Sequence, residues 1–221
     1  MDQKSEISSR SYWDKTWARF LKHHGMIAPS AKLIQHMIPY VQRNGSILDL
    51  GCGEGRNTIY LSRIGYLGVG LDLSPKAVKV LANNLFEEEV KALCVVGDAR
   101  NLPFRAEKFD GVLAHHIFDH LDENGFDQAI KNTFRILKKN GILLMTLDNF
   151  PKGMTDKNVS VLDDGAMVFV SGPYKGMLVR PYNERELRSL NEKGWKIIKD
   201  ELTPRRSKIM LLQKEEVVHK S

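Results

Sequence analysis

Cysteine is almost missing from this chain. Cys52 and Cys94 are the only two, 42 positions apart, and they form no C-x-x-C pair. That excludes a disulfide framework and a thiolate-ligated structural metal, and it suits a reducing cytosol. Long apolar runs are missing too: none approaches the roughly 20 residues that a membrane helix needs. The opening "MDQKSEISSR" is polar and mixed in charge, so no signal peptide is expected. There is no internal repeat, no low-complexity linker and no block of like charge. The net charge is +6, and residues 171–221 carry five of those charges, with 12 Lys/Arg against 7 Asp/Glu. The signs are interleaved there ("YNERELRSLNEKGWKIIKDEL"), as on a solvated helix and strand rather than on a nucleic-acid face. We expect a cytoplasmic protein with no membrane and no nucleic-acid partner.

What is present is an ordinary globular balance, 42% hydrophobic and 27% charged, in 221 residues, enough for one domain with a sizeable core. Trp13, Trp17 and Phe20 stand at i, i+4 and i+7, one face of a helix. "PSAKLIQHMIPYVQRNG" repeats the helical rhythm, with Pro39 kinking or shortening it. Short apolar runs then alternate with helical patterns. The strands are "SILDL", "GVGLDL", "ALCVVGD", "FDGVLAHH" and "GILLMTL". Ser74 followed by Pro75 is a helix start, and "QAIKNTFRILKK" is a helix closed by Asn140-Gly141. Runs buried on both sides and separated by helices make a parallel sheet with helices on both faces. Asn183 opens a last helix with Glu186 in the capping-box position, and "WKIIKDEL" and "SKIMLLQK" form an antiparallel pair. The expectation is an α/β, Rossmann-like, doubly wound sheet of seven strands, mostly parallel, with that antiparallel pair at its C-terminal end. It forms one domain over 1–221: N-terminal helices (1–44), a binding core (45–148), an inserted hairpin (149–181), and the last helix and two strands (182–214), before a frayed tail.

"ILDLGCGEGRN" carries the chemistry. A strand runs into Gly51, Gly53 and Gly55 and then a helix, whose N-terminus offers free N–H groups and a positive dipole end. Asp72 ends the second strand, where an acid accepts from both hydroxyls of a ribose. Asp98 ends the third, where an acid can accept from an adenine amino group. Three such positions at the carboxyl ends of consecutive strands mark the rim where open α/β sheets bind ligands. A hydride-transfer enzyme would want G-x-G-x-x-G, and here Arg56 follows Gly55.

Together, "ILDLGCGEGRN", "GVGLDLSPKAVKVL", "VVGDARNLPF", "FDGVLAHHIFDHL" and "ILKKNGILLMTL" resemble the successive motifs of the class I S-adenosylmethionine-dependent methyltransferases over residues 45–148. "GCGEGRNTIYLSRIG" and "YWDKTW" are similar to the small-molecule branch that includes tellurite-resistance and thiol methyltransferases. The resemblance implies S-adenosylmethionine as cofactor. It puts Asp49 and the loop Gly51, Cys52, Gly53, Gly55 against the methionine half, Asp72 on the ribose and Leu73 against the adenine. Asp98 and Ala99 fall on the adenine edge, and His115 beside the cofactor. Cys52 reads as filler rather than as a nucleophile.

The cluster "AHHIFDH" reads as the floor of a methyl-transfer site. A sulfonium methyl already carries an excellent leaving group, so orientation of the acceptor matters most, and an oxygen or nitrogen acceptor can use a base. His116 is the candidate to face the acceptor, with Tyr182 as a second catalytic candidate at the end of the insertion beside Arg180. His120 reads as a packing residue. A metal is not expected. The resemblance puts Asp148-Asn149 where some members of that family hold a divalent ion after strand five, but strand four ends in Ala114-His115-His116 with no acid, and adjacent histidines on a strand point apart, so His116, Asp119 and Asp148 read as non-ligands. Trp13, Trp17 and Tyr12 read as helix packing or as a cover over the sulfonium. The insertion carries Met154, Met167, Phe169, Tyr174 and Met177, more apolar side chains than a surface loop needs, and reads as a lid or a homodimer contact. The function expected is methyl transfer to a small molecule. The alternatives are an RNA or protein methyltransferase of the same fold and a cofactor-binding protein without catalysis.

Overall fold

The structure is a computed structural model that describes residues 10–18, 28–148, 158–204 and 207–215. Phe20, Asn149, Met154 and the expected frayed tail beyond 215 lie outside the described residues.

The strand runs read from the sequence form one sheet. β1 (Ser46–Leu50), β2 (Leu67–Asp72), β3 (Leu93–Val96), β4 (Phe109–His115), β5 (Leu137–Leu147), β9 (Trp195–Leu202) and β10 (Lys208–Lys214) line up in the order β3-β2-β1-β4-β5-β10-β9. Neighbours from β3 to β5 are parallel, and β10 runs antiparallel to both β5 and β9. Alternation along each strand divides the core between two faces. Leu48, Leu50, Val112, Ala114, Leu143 and Met145 point to the face covered by α5 (Glu123–Ile136), where they meet Phe126 and Ile130. Ile47, Leu113, Ile142 and Leu144 point to the other, where Ile34 of α2 (Ala31–Ile34) and Met37 cover them. The helix α1 spans 10–18. α3 (Arg56–Arg63) and α4 (Pro75–Glu87) complete the two layers.

Several local signals act as read. Ser74 caps α4, its Oγ accepting from Ala77 N at 3.3 Å, with Pro75 in the first turn. Others differ. The helical rhythm after Pro29 is cut to α2 and a 3₁₀ turn at Ile38–Tyr40, because Pro39 has no N–H to continue it. α5 starts before Gln128, since Asp122 Oδ1 accepts from Gly125 N at 2.7 Å, and ends at Ile136, since Leu137 already pairs with Phe109 of β4. Asn183 caps α6 (Glu184–Ser189) through Arg185 N at 2.9 Å. Glu186 does not close the capping box; it bonds the Arg180 guanidinium at 3.0 and 3.2 Å.

The insertion is more than a hairpin. β6 (Val159–Val161), β7 (Met167–Phe169) and β8 (Leu178–Val179) make a three-stranded antiparallel sheet around Met167, Phe169 and Val179. β8 ties it to the main domain: Arg180 N donates to Asp119 O at 2.8 Å, and His120 Nδ1 lies 2.8 Å from Leu178 O. Part of the basic C-terminal quarter is ion-paired in place. Arg180, Lys193, Lys199 and Lys208 pair with Glu186, Asp127, Glu201 and Glu184.

Candidate active site

A cavity of about 310 Å³ opens at the carboxyl ends of β1, β2 and β4 and at the turn after β3. Its walls include Gly51, Cys52, Gly53, Asp72, Leu73, Asp98, Ala99, His115 and His116, nine residues singled out in the sequence. The loop after β1 runs through left-handed turns at Gly51, Gly53 and Gly55, with φ of 70°, 55° and 90°. Gly51 has a further reason to lack a side chain, since a Cβ there would stand 1.8 Å from Ile117 Cδ1.

Asp72 is 8% exposed. Its Oδ2 accepts from Gly53 N at 3.0 Å and its Oδ1 from Ser74 N at 2.8 Å. Burial raises its pKa against those bonds. Two of the roughly four lone-pair sites of a carboxylate are thus taken, and two remain for ligand hydroxyls. At Asp98 burial also pushes upward, but the Arg100 side chain and backbone outweigh it and hold the carboxyl below its usual range. Arg100 N reaches Asp98 Oδ1 at 2.8 Å and Arg100 Nε reaches both oxygens at 3.0 Å.

Three sequence assignments need correcting. Gly55 is not a wall of the cavity: its Cα faces Leu81 of α4, where a Cβ would stand 2.1 Å from Cδ1. Asp49 is not a wall of the cavity: it is 1% exposed, and Thr58 Oγ1 of α3 donates to its Oδ2 at 2.7 Å. Burial raises its pKa to about 6. Asp49 therefore braces the glycine loop from behind. Tyr182 is not in this cavity either. Past β8 the chain turns into α6, and Tyr182 lines a separate cavity of about 450 Å³ with Arg180, Glu186 and Asp164, its ring 5.9 Å from Lys208 Nζ. Cys52 is buried against Ile59, Leu81 and Leu85, and burial pushes its thiol well above the ordinary value, so packing is its role.

His115 and His116 do not point apart. The alternation rule assumes extended backbone, and His116 is left-handed, with φ 55°. The two rings lie 4.2 Å apart. Thr146 of β5 holds both residues: its Oγ1 is 2.7 Å from His115 Nδ1 and accepts from His116 N at 3.1 Å. Burial, helped by His116, lowers the His115 pKa to about 3, so its ring is neutral at physiological pH. Burial also works against a charged His116, but Asp119 and Asp148 outweigh it and raise its pKa. Asp119 is 2% exposed and accepts from Asp148 N at 3.1 Å. Thr146, Arg56 and Asn57 carried no local signal in the sequence; the fold brings them here by strand register and by the entry into α3.

α1 closes the remaining side. Trp13 and Trp17 line the cavity, with Trp13 edge-on to His120 at 4.9 Å. Tyr12 O–H donates to Met177 Sδ at 3.3 Å, Arg10 Nε donates to Leu73 O at 3.3 Å, and Asp14 bonds Ser74 Oγ. The helix thus bridges the rim of β2 and the insertion.

A seven-stranded sheet in this order, with a glycine-rich loop after β1 and acids ending β2 and following β3, defines the class I S-adenosylmethionine-dependent methyltransferases. The comparisons agree. The methyltransferase domain family matches residues 48–145. The ubiquinone biosynthesis O-methyltransferase of Pelagibacter ubique is 33% identical over 107 residues, 48% of this chain and 43% of that one. This chain thus spans less than half of that relative. EEF1A lysine methyltransferase 2 of Danio rerio is 25% identical over 167 residues, 67% of this chain and 72% of that one. The crystal structure of a TehB-like S-adenosylmethionine-dependent methyltransferase from Corynebacterium glutamicum superposes with a TM-score of 0.63, at 21% identity over 93% of this chain and 98% of that one. Residues 48–145 thus carry a methyltransferase domain whose cofactor is S-adenosylmethionine, and the chain as a whole shares the fold of the class I S-adenosylmethionine-dependent methyltransferases. The cavity suits that cofactor: it combines a bare glycine cradle, a buried carboxylate with spare acceptor capacity and a neutral histidine. Among the described residues, no helix is long and apolar enough to cross a membrane.

Proposed function

We propose that this protein transfers the methyl group of S-adenosylmethionine to an oxygen of a small-molecule acceptor. Asp72 accepts from the ribose hydroxyls, and Leu73, Asp98 and Ala99 border the adenine. The glycine loop holds the methionine half, braced by Asp49. His115 flanks the sulfonium as an uncharged ring and so adds no repulsion. The faces of Trp13 and Trp17 suit a cationic sulfur. His116 faces the acceptor and handles its proton.

The observation that carries the small-acceptor reading is the cover that α1 and β8 give to the sides of the cavity. α1 on one side and Leu178 of β8 on the other narrow the space beside His116 and His120. A small molecule fits such a chamber, whereas an RNA or a folded protein needs an open approach. The insertion then acts as a lid that shields the methyl from water.

Turnover of methyl-labelled cofactor against hydroxylated, amino and thiol metabolites, lysine-bearing protein and RNA tests the proposal. Label should pass to a hydroxylated small molecule. Transfer to protein or RNA alone would overturn it, and no transfer to any acceptor, with intact cofactor binding, would favour a non-catalytic binding protein.

A further inference from the structure

The Thr146 hydroxyl serves two histidines at once. In the register of β4 with β5, Thr146 stands beside His115. Its Oγ1 accepts from His116 N at 3.1 Å and lies 2.7 Å from His115 Nδ1. Thr146 is 3% exposed, and among the described residues its hydroxyl makes no other bond. A hydroxyl has one proton to give and two lone pairs. The His116 N–H takes a lone pair, so the proton has one place to go, the lone pair of His115 Nδ1. The opposite assignment, with Nδ1–H donating to Oγ1, would aim two N–H groups at one oxygen. It would also strand the hydroxyl proton in the interior, which folded proteins rarely do.

The bond at Nδ1 decides the other side of the ring. Burial keeps the His115 imidazole neutral, with its pKa lowered to about 3, so the ring holds a single proton. With Nδ1 accepting, that proton sits on Nε2. Nε2 has no partner among the described residues and is not sealed inside the protein, and His115 lines the cavity. The cavity therefore presents a fixed N–H donor that does not titrate near neutrality. The ring of His116, centred 4.2 Å away, differs. Burial works against its charge, but Asp119 and Asp148 outweigh burial and make it the more basic of the two. Neighbouring groups whose surroundings drive their proton affinities apart divide the work: one ring gives a hydrogen bond and the other takes a proton.

We propose that Thr146 locks His115 as the Nε2–H tautomer, and that this donor selects a hydroxyl over an amine as the methyl acceptor. The selection rests on the methyl-transfer reading; the lock does not. A hydroxyl oxygen has two lone pairs. One accepts from His115 Nε2–H while the O–H turns to His116, and the other stays free to attack, so the oxygen is oriented without being blocked. That free pair forms the C–O bond as the methyl–sulfur bond breaks, the bonding pair going to sulfur. The hydroxyl proton passes to His116 and on to solvent, leaving the methyl ether and S-adenosylhomocysteine. Any negative charge that builds on the oxygen strengthens its bond to Nε2–H. A neutral amine has a single lone pair: held by His115 it cannot attack, and unheld it is not oriented. Sulfur accepts hydrogen bonds weakly, so a thiol gains little. His115 is in this way a catalytic residue and Thr146 a positioning residue.

The test uses the full chain labelled with nitrogen-15 histidine. Long-range proton–nitrogen correlation reads both ring nitrogens of His115, assigned by the signals that His115→Gln removes. An unprotonated Nδ1 and a protonated Nε2 are expected. Thr146→Val should turn His115 into a mixture of tautomers, and Thr146→Ser should restore the wild-type pattern. Transfer of methyl label is then measured with phenol and aniline, nearly equal in shape, beside the metabolite panel. Thr146→Val should lower the preference for oxygen over nitrogen about three- to tenfold, with S-adenosylhomocysteine affinity kept and Thr146→Ser restoring the preference. His115→Gln carries an amide N–H of similar reach and has no tautomer to lose, so in that background Thr146→Val should change nothing. A protonated Nδ1 in the wild type, or an unchanged pattern in Thr146→Val, overturns the lock. A tautomer shift with unchanged preference, an effect that persists beside His115→Gln, or a fall in S-adenosylhomocysteine affinity in its place overturns the selection. Label reaching no small molecule would instead sink the methyl-transfer reading and leave the lock standing.

Discussion

The indole of Trp17 packs against the bare backbone of Gly53: a Cβ at Gly53 would stand 2.5 Å from two carbons of that ring. One side of the contact is the cofactor loop and the other is α1, more than thirty residues earlier. Gly53 also has φ 55°, and an L-residue in that region costs roughly 1–2 kcal/mol. Gly53→Ala should therefore displace Trp17 and weaken S-adenosylhomocysteine at least about tenfold. Calorimetry and indole fluorescence read the two effects. Unchanged affinity would show that this contact plays no part in closing the cavity.

Asp72 is the strongest single anchor in the cofactor reading. Asp72→Asn keeps one acceptor oxygen and loses the charge that strengthens hydrogen bonds to ribose hydroxyls, each worth roughly 1.5–3 kcal/mol. Affinity for S-adenosylhomocysteine should fall roughly ten- to hundredfold. Wild-type affinity in calorimetry would remove Asp72 from the ribose.

Asp49 makes stability depend on pH. Its folded pKa, raised to about 6 by burial, exceeds the ordinary aspartate value of 3.8, so between these values the folded chain holds a proton that the unfolded chain releases. The contribution of Asp49 is thus most favourable below pH about 4, declines as pH rises through about 6, and is flat above. The total is about 3 kcal/mol. Urea unfolding of the ligand-free protein and of Asp49→Asn from pH 4 to 8 should diverge over that window, with the wild type losing ground as pH rises. A constant difference would mean that Asp49 titrates normally.

Tyr182 should be silent in the chemistry, because its ring lies in the second cavity with Arg180 and Glu186. Tyr182→Phe should keep kcat and KM within about twofold, well under the tenfold that 1.4 kcal/mol would cause. A large fall in kcat with unchanged stability would return it to the site.

By itself the sequence determined the elements and much of the cofactor wall. Buried apolar runs between helical patterns dictate a parallel sheet. Glycines that need φ above zero must sit where the chain turns hard after β1, and acids ending strands must reach the rim. Ser74-Pro75 starts a helix wherever it stands. These are local effects, set within a few residues by sterics and hydrogen bonding. Only the tertiary structure decided which side chains meet. Thr58 draws Asp49 out of the cavity, and the turn into α6 carries Tyr182 away from it. The register of β4 with β5 puts Thr146 beside His115, and the left-handed turn at His116 brings its ring toward Asp119 and Asp148. The reason is physical: some of these contacts join residues far apart, as His115 and Thr146 are 31 positions apart, and the geometry of all of them follows from sheet register and packing, which no local periodicity records.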